Sequence, residues 1–418
     1  MGSKLSPCSP TPPPQAAYPP PPATPPADGI PVSITIPSGK KLSDIYVRVN
    51  GPDEALILRP DGKKSGTEPG TGSKDMSKYC YPLSYFNPEA KSGRTITIYL
   101  PLNFPSGRIY FSVKKSLKWA DPDINNVSDP DRSTQFTMME FTSTNSSICL
   151  DDSAVDGFSG PSISTQPYIK GKPVGVPFGT LENPTRFINN VKSYINSHVT
   201  DPAACQVWMS MFTNIGGVQR IAAPKSPNLI NIFGPYFEDY KSDVLIHYIK
   251  KNPLYFDINK DKFLIKVSPD GKNFEYYNNW GGTSKATLPI SEITWLSWLS
   301  GKPDGVTNNP RVMQGLSALL MSGMELKSLG ATGPTDDKCL SNTTFVKYEK
   351  EGKFFKAMYK GKPNVKNGPM YDVYEHAMHA EGWNAYAYDY DDLFGQDGTV
   401  TLQVDAEDEA GFSIVSNW

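Results

Sequence analysis

From position 30 the chain alternates apolar and polar residues in short runs that are separated by turn residues. The runs VSITIP, YVRVNG, ALILRPDGKK, TITIYLPL and RIYFSVKK follow a two-residue period, which is typical of half-buried β-strands. Pro-Asp-Gly and Pro-Ser-Gly sequences supply the turns between them. Several strands at this spacing predict a β-sandwich or barrel.

The run TQFTMMEFT predicts a further strand that carries an acidic residue in its interior. Alternation places Phe136, Met138, Glu140 and Thr142 on one face of this strand. A buried carboxylate is costly unless it is paired, so Glu140 needs a partner or a function. A short polar loop then returns three more carboxylates, Asp151, Asp152 and Asp156.

After about residue 171 the spacing of apolar residues becomes helical. In NPTRFINNVKSYINSHV, Asn183 is a suitable N-cap and Pro184 fits the first helical position, and Phe187, Val191 and Ile195 recur at helical spacing. The segments NNPRVMQGLSALLMSGM and SDVLIHYIKKN also predict helices, and DKFLIKVSPDGKNFEYY predicts a hairpin. The C-terminal run NAYAYDYDDLFGQDGTVTLQVD returns to strands and turns.

These changes of pattern predict two domains, as the length of 418 residues also suggests. We expect a β-sandwich or barrel at 30–170 that is completed by 383–418, and a mixed α/β domain at 171–382. Residues 1–29 are rich in proline, so we expect an extended, disordered tail or linker there.

The charge balance excludes several classes of partner. Lys and Arg number 41 against 43 Asp and Glu, a net charge of −2. This balance gives no strong field for nucleic acid or for anionic lipid, and no apolar run is long enough to span a bilayer. Three Asn-X-Ser/Thr sequons slightly favour secretion.

Cysteine and histidine give no convincing metal site. The five cysteines are scattered, and four of them, Cys80, Cys149, Cys205 and Cys339, could form two disulfides in any of three connectivities. His376 and His379 are three residues apart, but no further ligand lies near them in the sequence. We expect no metal and no cofactor.

The acidic residues offer the best candidate chemistry. A strand-borne Glu140 and an Asp156 returned by a loop could face each other across a groove, one protonated and the other ionised, as acid and base on a glycosidic bond. The alternative is a solvated acidic loop beside a surface strand, which is the commoner arrangement. The residue types alone leave both possibilities open.

The segment MEFTSTNSSICLDDSAVDGFSGPSIS resembles the acidic cleft of thaumatin-like proteins, and NAYAYDYDDLFGQDGTVTL resembles their closing stretch. A long chain with few cysteines and an α/β insertion is similar to glycoside hydrolase family 64, the β-1,3-glucanases. The resemblance implies a thaumatin-like barrel and a mixed α/β domain that flank a wide groove. It also implies a secreted, monomeric enzyme whose partner is β-1,3-glucan.

By the same resemblance, Glu140 is the general acid and Asp156 the general base of an inverting, endo-acting β-1,3-glucanase. The two acids are sixteen positions apart, which matches the separation in the family. Thr142 matches a substrate-contacting threonine, Thr144 stands where the enzymes often carry Asn, and Asp151 aligns with another cleft acid. The alternative function is a non-catalytic, glucan-binding thaumatin-like protein. A scaffold recruited through the proline-rich tail is a weaker third reading.

Aromatic residues could provide platforms for sugar rings. Trp280 stands beside two glycines, and Trp383 precedes the closing strands, so both are candidate substrate contacts. A role in the core is the alternative for each of them.

Overall fold

The structure is a computed structural model, and it describes fifteen segments of the chain. The described residues are 29–51, 57–58, 64–65, 75–86, 94–123, 126–199, 201–226, 228–240, 247–258, 261–281, 284–294, 340–341, 372–383, 399–403 and 410–418. The helix predicted from NNPRVMQGLSALLMSGM and the closing motif at 384–398 lie outside the described residues.

Strands predominate among the described residues. They are β1 (Gly29–Thr35), β2 (Ile45–Asn50), β3 (Ile57–Leu58), β4 (Lys64–Ser65), β5 (Tyr81–Pro82), β6 (Thr95–Pro101), β7 (Gly107–Val113), β8 (Phe136–Ser143), β9 (Ser147–Ser153), β10 (Gly157–Phe158), β11 (Ser162–Ile169), β12 (Lys172–Pro173), β13 (Phe178–Gly179), β14 (Phe212–Ile215), β15 (Val218–Ala222), β16 (Leu254–Ile258), β17 (Asp261–Val267), β18 (Asn273–Asn278), β19 (Ser284–Pro289), β20 (Leu340–Ser341), β21 (Thr399–Gln403) and β22 (Ala410–Asn417).

The described α-helices all follow the first thirteen strands. They are α1 (Pro184–His198), α2 (Pro202–Met209), α3 (Ile230–Tyr240), α4 (His247–Lys251) and α5 (Val373–Ala380). No helix in the described part of the chain is long and apolar enough to cross a membrane.

Two of the sheets form a β-sandwich. The six-stranded sheet has the order β12-β11-β22-β1-β6, with β13 on β11, and the eight-stranded sheet has the order β21-β9-β8-β7-β2-β3-β4, with β5 on β2. The apolar faces of both sheets contribute to one core, represented by Val32, Ile34, Ile109, Phe111 and Phe412. The alternation seen in the sequence therefore supplies the inner faces of a sandwich.

The last strands of the chain join both sheets. β22 lies between β1, with which it is parallel, and β11, with which it is antiparallel. β21 pairs antiparallel with β9 at the edge of the eight-stranded sheet. The two-domain bounds remain a prediction, as do the thaumatin-like barrel and the wide groove.

A second core joins the helices to the remaining sheets. These sheets have the orders β10-β15-β14 and β19-β18-β17-β16-β20. The predicted helix at 184–198 is confirmed as α1, and its Asn183 side chain accepts a hydrogen bond from the Arg186 amide. Its apolar face, with Phe187, Val191 and Ile195, is buried in the second core. The hairpin predicted after Asp261 is confirmed as β17–β18.

Disulfide bonds are not formed by two of the described cysteines. Cys80 and Cys205 are free thiols, so the arrangement of two disulfides among four cysteines, which the sequence allowed, is not formed. The sandwich core of this chain supplies the stability that shorter, disulfide-dense domains obtain from crosslinks.

Candidate active site

A row of polar residues crosses the eight-stranded sheet. In the strand register Asn50 is opposite Arg108, Arg108 is opposite Glu140, Glu140 is opposite Asp151, and Asp151 is opposite Thr399. Residues directly opposite each other in antiparallel strands point to the same face of the sheet. We call Asn50, Arg108, Glu140 and Asp151 the polar row.

The polar row lies on the face away from the sandwich core. Met139 and Phe141, the two neighbours of Glu140, are buried in that core. Since successive side chains of a strand alternate, Glu140 points to the other face, where its side chain is 31% exposed. The sequence pattern predicted this facing of Glu140.

Arg108 connects Glu140 to a second carboxylate. Its Nε donates a hydrogen bond to Glu140 Oε1 at 3.0 Å, and its Nη1 donates to Asp121 Oδ1 at 2.6 Å. The Tyr110 hydroxyl donates to the same Asp121 oxygen at 3.1 Å. Burial acts to lower the pKa of Arg108, but Tyr110, Asp121 and Glu140 outweigh it and raise the pKa, so Arg108 is a permanent cation.

The loop that carries Asp121 is held by a buried arginine. Arg48 Nη2 donates to the Ala120 carbonyl at 2.8 Å, and Nη1 donates to the Leu117 carbonyl at 3.4 Å. The guanidinium also stacks over the Tyr110 ring, 4.7 Å from its centroid. Arg48 thereby fixes the loop whose Asp121 binds Arg108.

Sequence reasoning missed Arg48, Arg108 and Asp121. The two arginines stand in otherwise apolar strands, YVRVN and GRIYFSV, and such positions signal a buried or paired cation. Their acidic and carbonyl partners could not be identified from the sequence, because strand register and loop packing select them.

Asp156 lies in the turn between β9 and β10. Its side chain is 49% exposed, and Lys225 Nζ lies 3.3 Å from its Oδ1. Lys225 follows β15, and β15 pairs with β10 through Ala222 opposite Gly157. The lysine is therefore brought to Asp156 by the strand that pairs beside the turn.

A small depression connects Asp156 to the strand of Glu140. Met138, two residues before Glu140 on the same face, lines it together with Asp156. The complete lining is Tyr110, Pro122, Phe136, Thr137, Met138, Ser153, Asp156, Gly157, Phe158 and Ser159. Asp156 therefore lines a surface that has both aromatic and hydroxyl groups, and Met138 brings the strand of Glu140 to that surface, while Glu140 itself is outside the lining.

The predicted threonine contacts lie at the end of the Glu140 strand. Thr142 is exposed, and its Oγ1 accepts a hydrogen bond from the Ser106 amide at 3.2 Å. Thr144 is in the following turn, where its Oγ1 accepts from the amides of Ser146 at 3.2 Å and Ser147 at 3.0 Å. Thr144 therefore stabilises the β8–β9 turn.

The two predicted tryptophan platforms differ in exposure. Trp280 is partly exposed at the β18–β19 turn, its Nε1 donates to the Phe256 carbonyl at 2.8 Å, and Lys262 Nζ lies 4.4 Å from its ring centroid. Trp383 is fully buried in the second core. Its burial corresponds to the alternative core role, since no ring face is open to a sugar.

Among the described residues, no three His, Cys, Asp or Glu side chains lie close enough together to hold an ion. The arrangement offers instead a carboxyl held by an arginine, an exposed carboxylate paired with a lysine, and an adjoining depression.

Comparison with known structures shows which proteins share this fold. A laminaripentaose-producing β-1,3-glucanase in complex with laminaritetraose matches with a TM-score of 0.64 and 18% identity, over 93% of this chain and 99% of that one. A β-1,3-glucanase domain of family 64 from Clostridium beijerinckii matches with a TM-score of 0.63 and 16% identity, over 94% and 100% of the two chains.

A third structure, the laminaripentaose-producing β-1,3-glucanase from Paenibacillus barengoltzii, matches with a TM-score of 0.52 and 16% identity, over 94% of this chain and 75% of that one. At such identities the likeness establishes a shared fold. A comparison with curated protein sequences gave no match.

The sequence model of glycoside hydrolase family 64, described as beta-1,3-glucanase, matches residues 30–407, which is most of the chain. This match confirms the family resemblance seen in the acidic segment. The chain belongs to glycoside hydrolase family 64, the β-1,3-glucanases.

Proposed function

We propose that this β-1,3-glucanase cleaves internal bonds of laminarin and curdlan-like wall glucans with inversion at the anomeric carbon. Glu140 is the general acid and Asp156 is the general base. The observation that supports this assignment is the depression lined by Asp156 and by Met138, because Met138 lies two residues before Glu140 on the same strand face. An inverting pair acts from opposite sides of the sugar ring.

The contacts of Glu140 orient its carboxyl group. Arg108 occupies Oε1, and in the described part of the chain no hydrogen bond to Oε2 is seen. Oε2 is therefore the atom that holds the proton and delivers it to the glycosidic oxygen. Arg108 fixes the orientation of the carboxyl during this transfer.

The surroundings of Asp156 support its role as base. Its carboxylate is half exposed, so water reaches it, and Lys225 binds Oδ1, which leaves Oδ2 to accept a proton from water. The activated water attacks the anomeric carbon while the bond to the leaving oxygen breaks. One proton passes to Asp156 and one leaves Glu140, so the reaction is balanced and the product has inverted configuration.

The substrate fits the charge and composition of the chain. A neutral polymer needs hydroxyl-pairing groups and aromatic surfaces rather than a strong field. We assign Thr142, Thr144 and Asp151 to hydroxyl contacts near the acids, and Trp280 to a more distant contact. The enzyme acts as a secreted monomer on polysaccharide outside the cell.

An assay that measures the reducing ends released from laminarin tests the reaction. Glu140→Gln should bind laminari-oligosaccharides and hydrolyse none of them, whereas Asp257→Asn, a control on β16, should behave as the parent enzyme. Proton NMR of the first product should show the α-anomer. A β-anomer would refute inversion, and binding without hydrolysis by the parent enzyme would support the non-catalytic alternative.

An activated aryl laminari-oligosaccharide separates the two roles. Its phenolate departs without a proton, so Glu140→Gln should regain turnover on it, whereas Asp156→Asn should keep only a low residual rate on both substrates. Equal losses by both variants on the activated substrate would contradict the assignment of Glu140 as acid.

A further inference from the structure

The turn that carries Asp156 is surrounded by residues from a distant part of the chain. Ala154 and Phe158, on either side of Asp156, are buried in the second core together with Tyr374 and Trp383. Tyr374 belongs to α5, and Trp383 follows three residues after the end of that helix. The local environment of Asp156 therefore depends on α5 as well as on β9.

Tyr374 binds the backbone of this turn directly. Its fully buried hydroxyl donates a hydrogen bond to the Ala154 carbonyl at 2.6 Å. The same carbonyl accepts the Gly157 amide at 2.9 Å, which closes the turn around Asp156. Two donors on one oxygen, one of them from α5, fix the peptide two residues before Asp156.

Trp383 binds the segment immediately before the turn. Its Nε1 donates to Asp152 Oδ2 at 2.6 Å. Its ring packs edge-on against Phe158, with centroids 4.6 Å apart, and against Phe187 of α1 at 5.5 Å. Trp383 therefore contacts the chain both before and after Asp156.

The start of α5 is itself anchored. Asp372 caps the helix by accepting hydrogen bonds from the amides of Tyr374 at 2.9 Å and Glu375 at 3.3 Å. Burial, then Asp372, then Asp156 raise the pKa of Tyr374 well above its usual value. The charge of Asp156 thus acts on the Tyr374 hydroxyl, so the two groups lie in one electrostatic environment.

We propose that Tyr374 is a positioning residue for Asp156, and that Trp383 supports it by holding the preceding strand. Tyr374 acts through the Ala154 carbonyl and touches no reacting atom. This inference rests on the proposed role of Asp156 as general base. Catalysis requires the base to lie within hydrogen-bond reach of the attacking water, and a displacement of about 1 Å can cost roughly 100-fold in rate.

Tyr374→Phe tests the proposal because it removes only the hydroxyl. We expect kcat on laminarin to fall by about 10-fold to 100-fold, with KM changed by about twofold or less. Tyr194→Phe is the matched control, since it also removes one tyrosine hydroxyl. That hydroxyl is hydrogen-bonded to the ring of His376, which lies on α5 as Tyr374 does, at 3.2 Å. The control should retain the parental kcat.

The double variant Tyr374→Phe/Asp156→Asn distinguishes positioning from a general structural role. If Tyr374 acts through Asp156, the double variant should be no slower than Asp156→Asn alone. A full additional loss in the Asp156→Asn background would overturn the proposal, and so would an unchanged kcat in Tyr374→Phe. A Tyr374→Phe protein that lacks a cooperative thermal transition would also overturn it, because positioning leaves the fold intact.

The experiments distinguish failure of the proposed role of Asp156 as general base from failure of the positioning role of Tyr374. If Asp156→Asn retained parental turnover, Asp156 would leave the mechanism and the inference would fall with it. If Asp156→Asn were inactive while Tyr374→Phe kept the parental kcat, the proposed function would stand and only the positioning role would be refuted.

Discussion

Asp152 is a fully buried carboxyl whose ionisation should limit the stability of the fold at neutral pH. It lies opposite Met139 in the register, on the core side of β9, and its only described hydrogen bond comes from the Trp383 indole. A Cβ on Gly179 would lie 2.7 Å from its Oδ2, so the site has little room for water. Burial raises the pKa of Asp152 from 3.8 to about 8, against the lowering effect of Trp383.

The raised pKa sets the sign of the pH dependence. Below about pH 4 both the folded and the unfolded chain hold the Asp152 proton, so the group has no effect. From about pH 4 to 8 the unfolded chain releases the proton and the folded chain keeps it, so the free energy of unfolding falls with rising pH. Each pH unit corresponds to about 1.4 kcal/mol, which gives an upper limit of roughly 4 kcal/mol at pH 7.

Asp152→Asn should remove this dependence. The amide keeps an oxygen for the Trp383 indole, and it resembles the protonated acid, whose Oδ1 has no hydrogen-bond partner in the described structure. We expect a gain of about 1 to 4 kcal/mol in the free energy of unfolding at pH 7 and almost none at pH 4. Urea denaturation between pH 4 and 9 measures the difference between the two proteins.

Asp270→Asn is a control, because the pKa of Asp270 is shifted in the opposite direction to that of Asp152. The Ser268 hydroxyl and the Lys272 amide lower the pKa of Asp270, so its removal should bring no gain at neutral pH. A difference between parent and Asp152→Asn that stayed constant from pH 4 to 9 would refute the linkage argument. Lower stability of Asp152→Asn at pH 8 would refute it as well.

Three further predictions concern the fold and the polar row. Burial and neighbouring histidines lower the pKa of His376 to about 3, so stability should fall as the pH drops from 6.5 towards 3, and His376→Gln should flatten this fall in thermal melts. Gly107→Ala should destabilise by about 2 kcal/mol or more in urea denaturation, because its Cβ would clash with the Phe141 ring. Arg108→Lys should lower kcat on laminarin by about 10-fold with little change in KM, because lysine cannot bridge two carboxylates as a guanidinium does; equal kcat values would contradict that role.

The sequence by itself determined the local features of the protein. The two-residue period of TQFTMMEFT already placed Glu140 on the face opposite Met139 and Phe141, because alternation in a strand is a property of the backbone. Asn183 and Pro184 likewise marked the start of α1, since capping needs only neighbouring residues.

Tertiary structure alone decided which distant groups meet. Arg108 reaches Glu140 because the β7–β8 register sets them opposite each other, and Tyr374 reaches Ala154 across 220 positions of sequence. The sequence left Trp383 open as a sugar platform or as a core residue, with the core role favoured, and packing against Phe158 decided the outcome. Register and packing depend on the whole buried surface, so no local pattern of residues encodes these contacts.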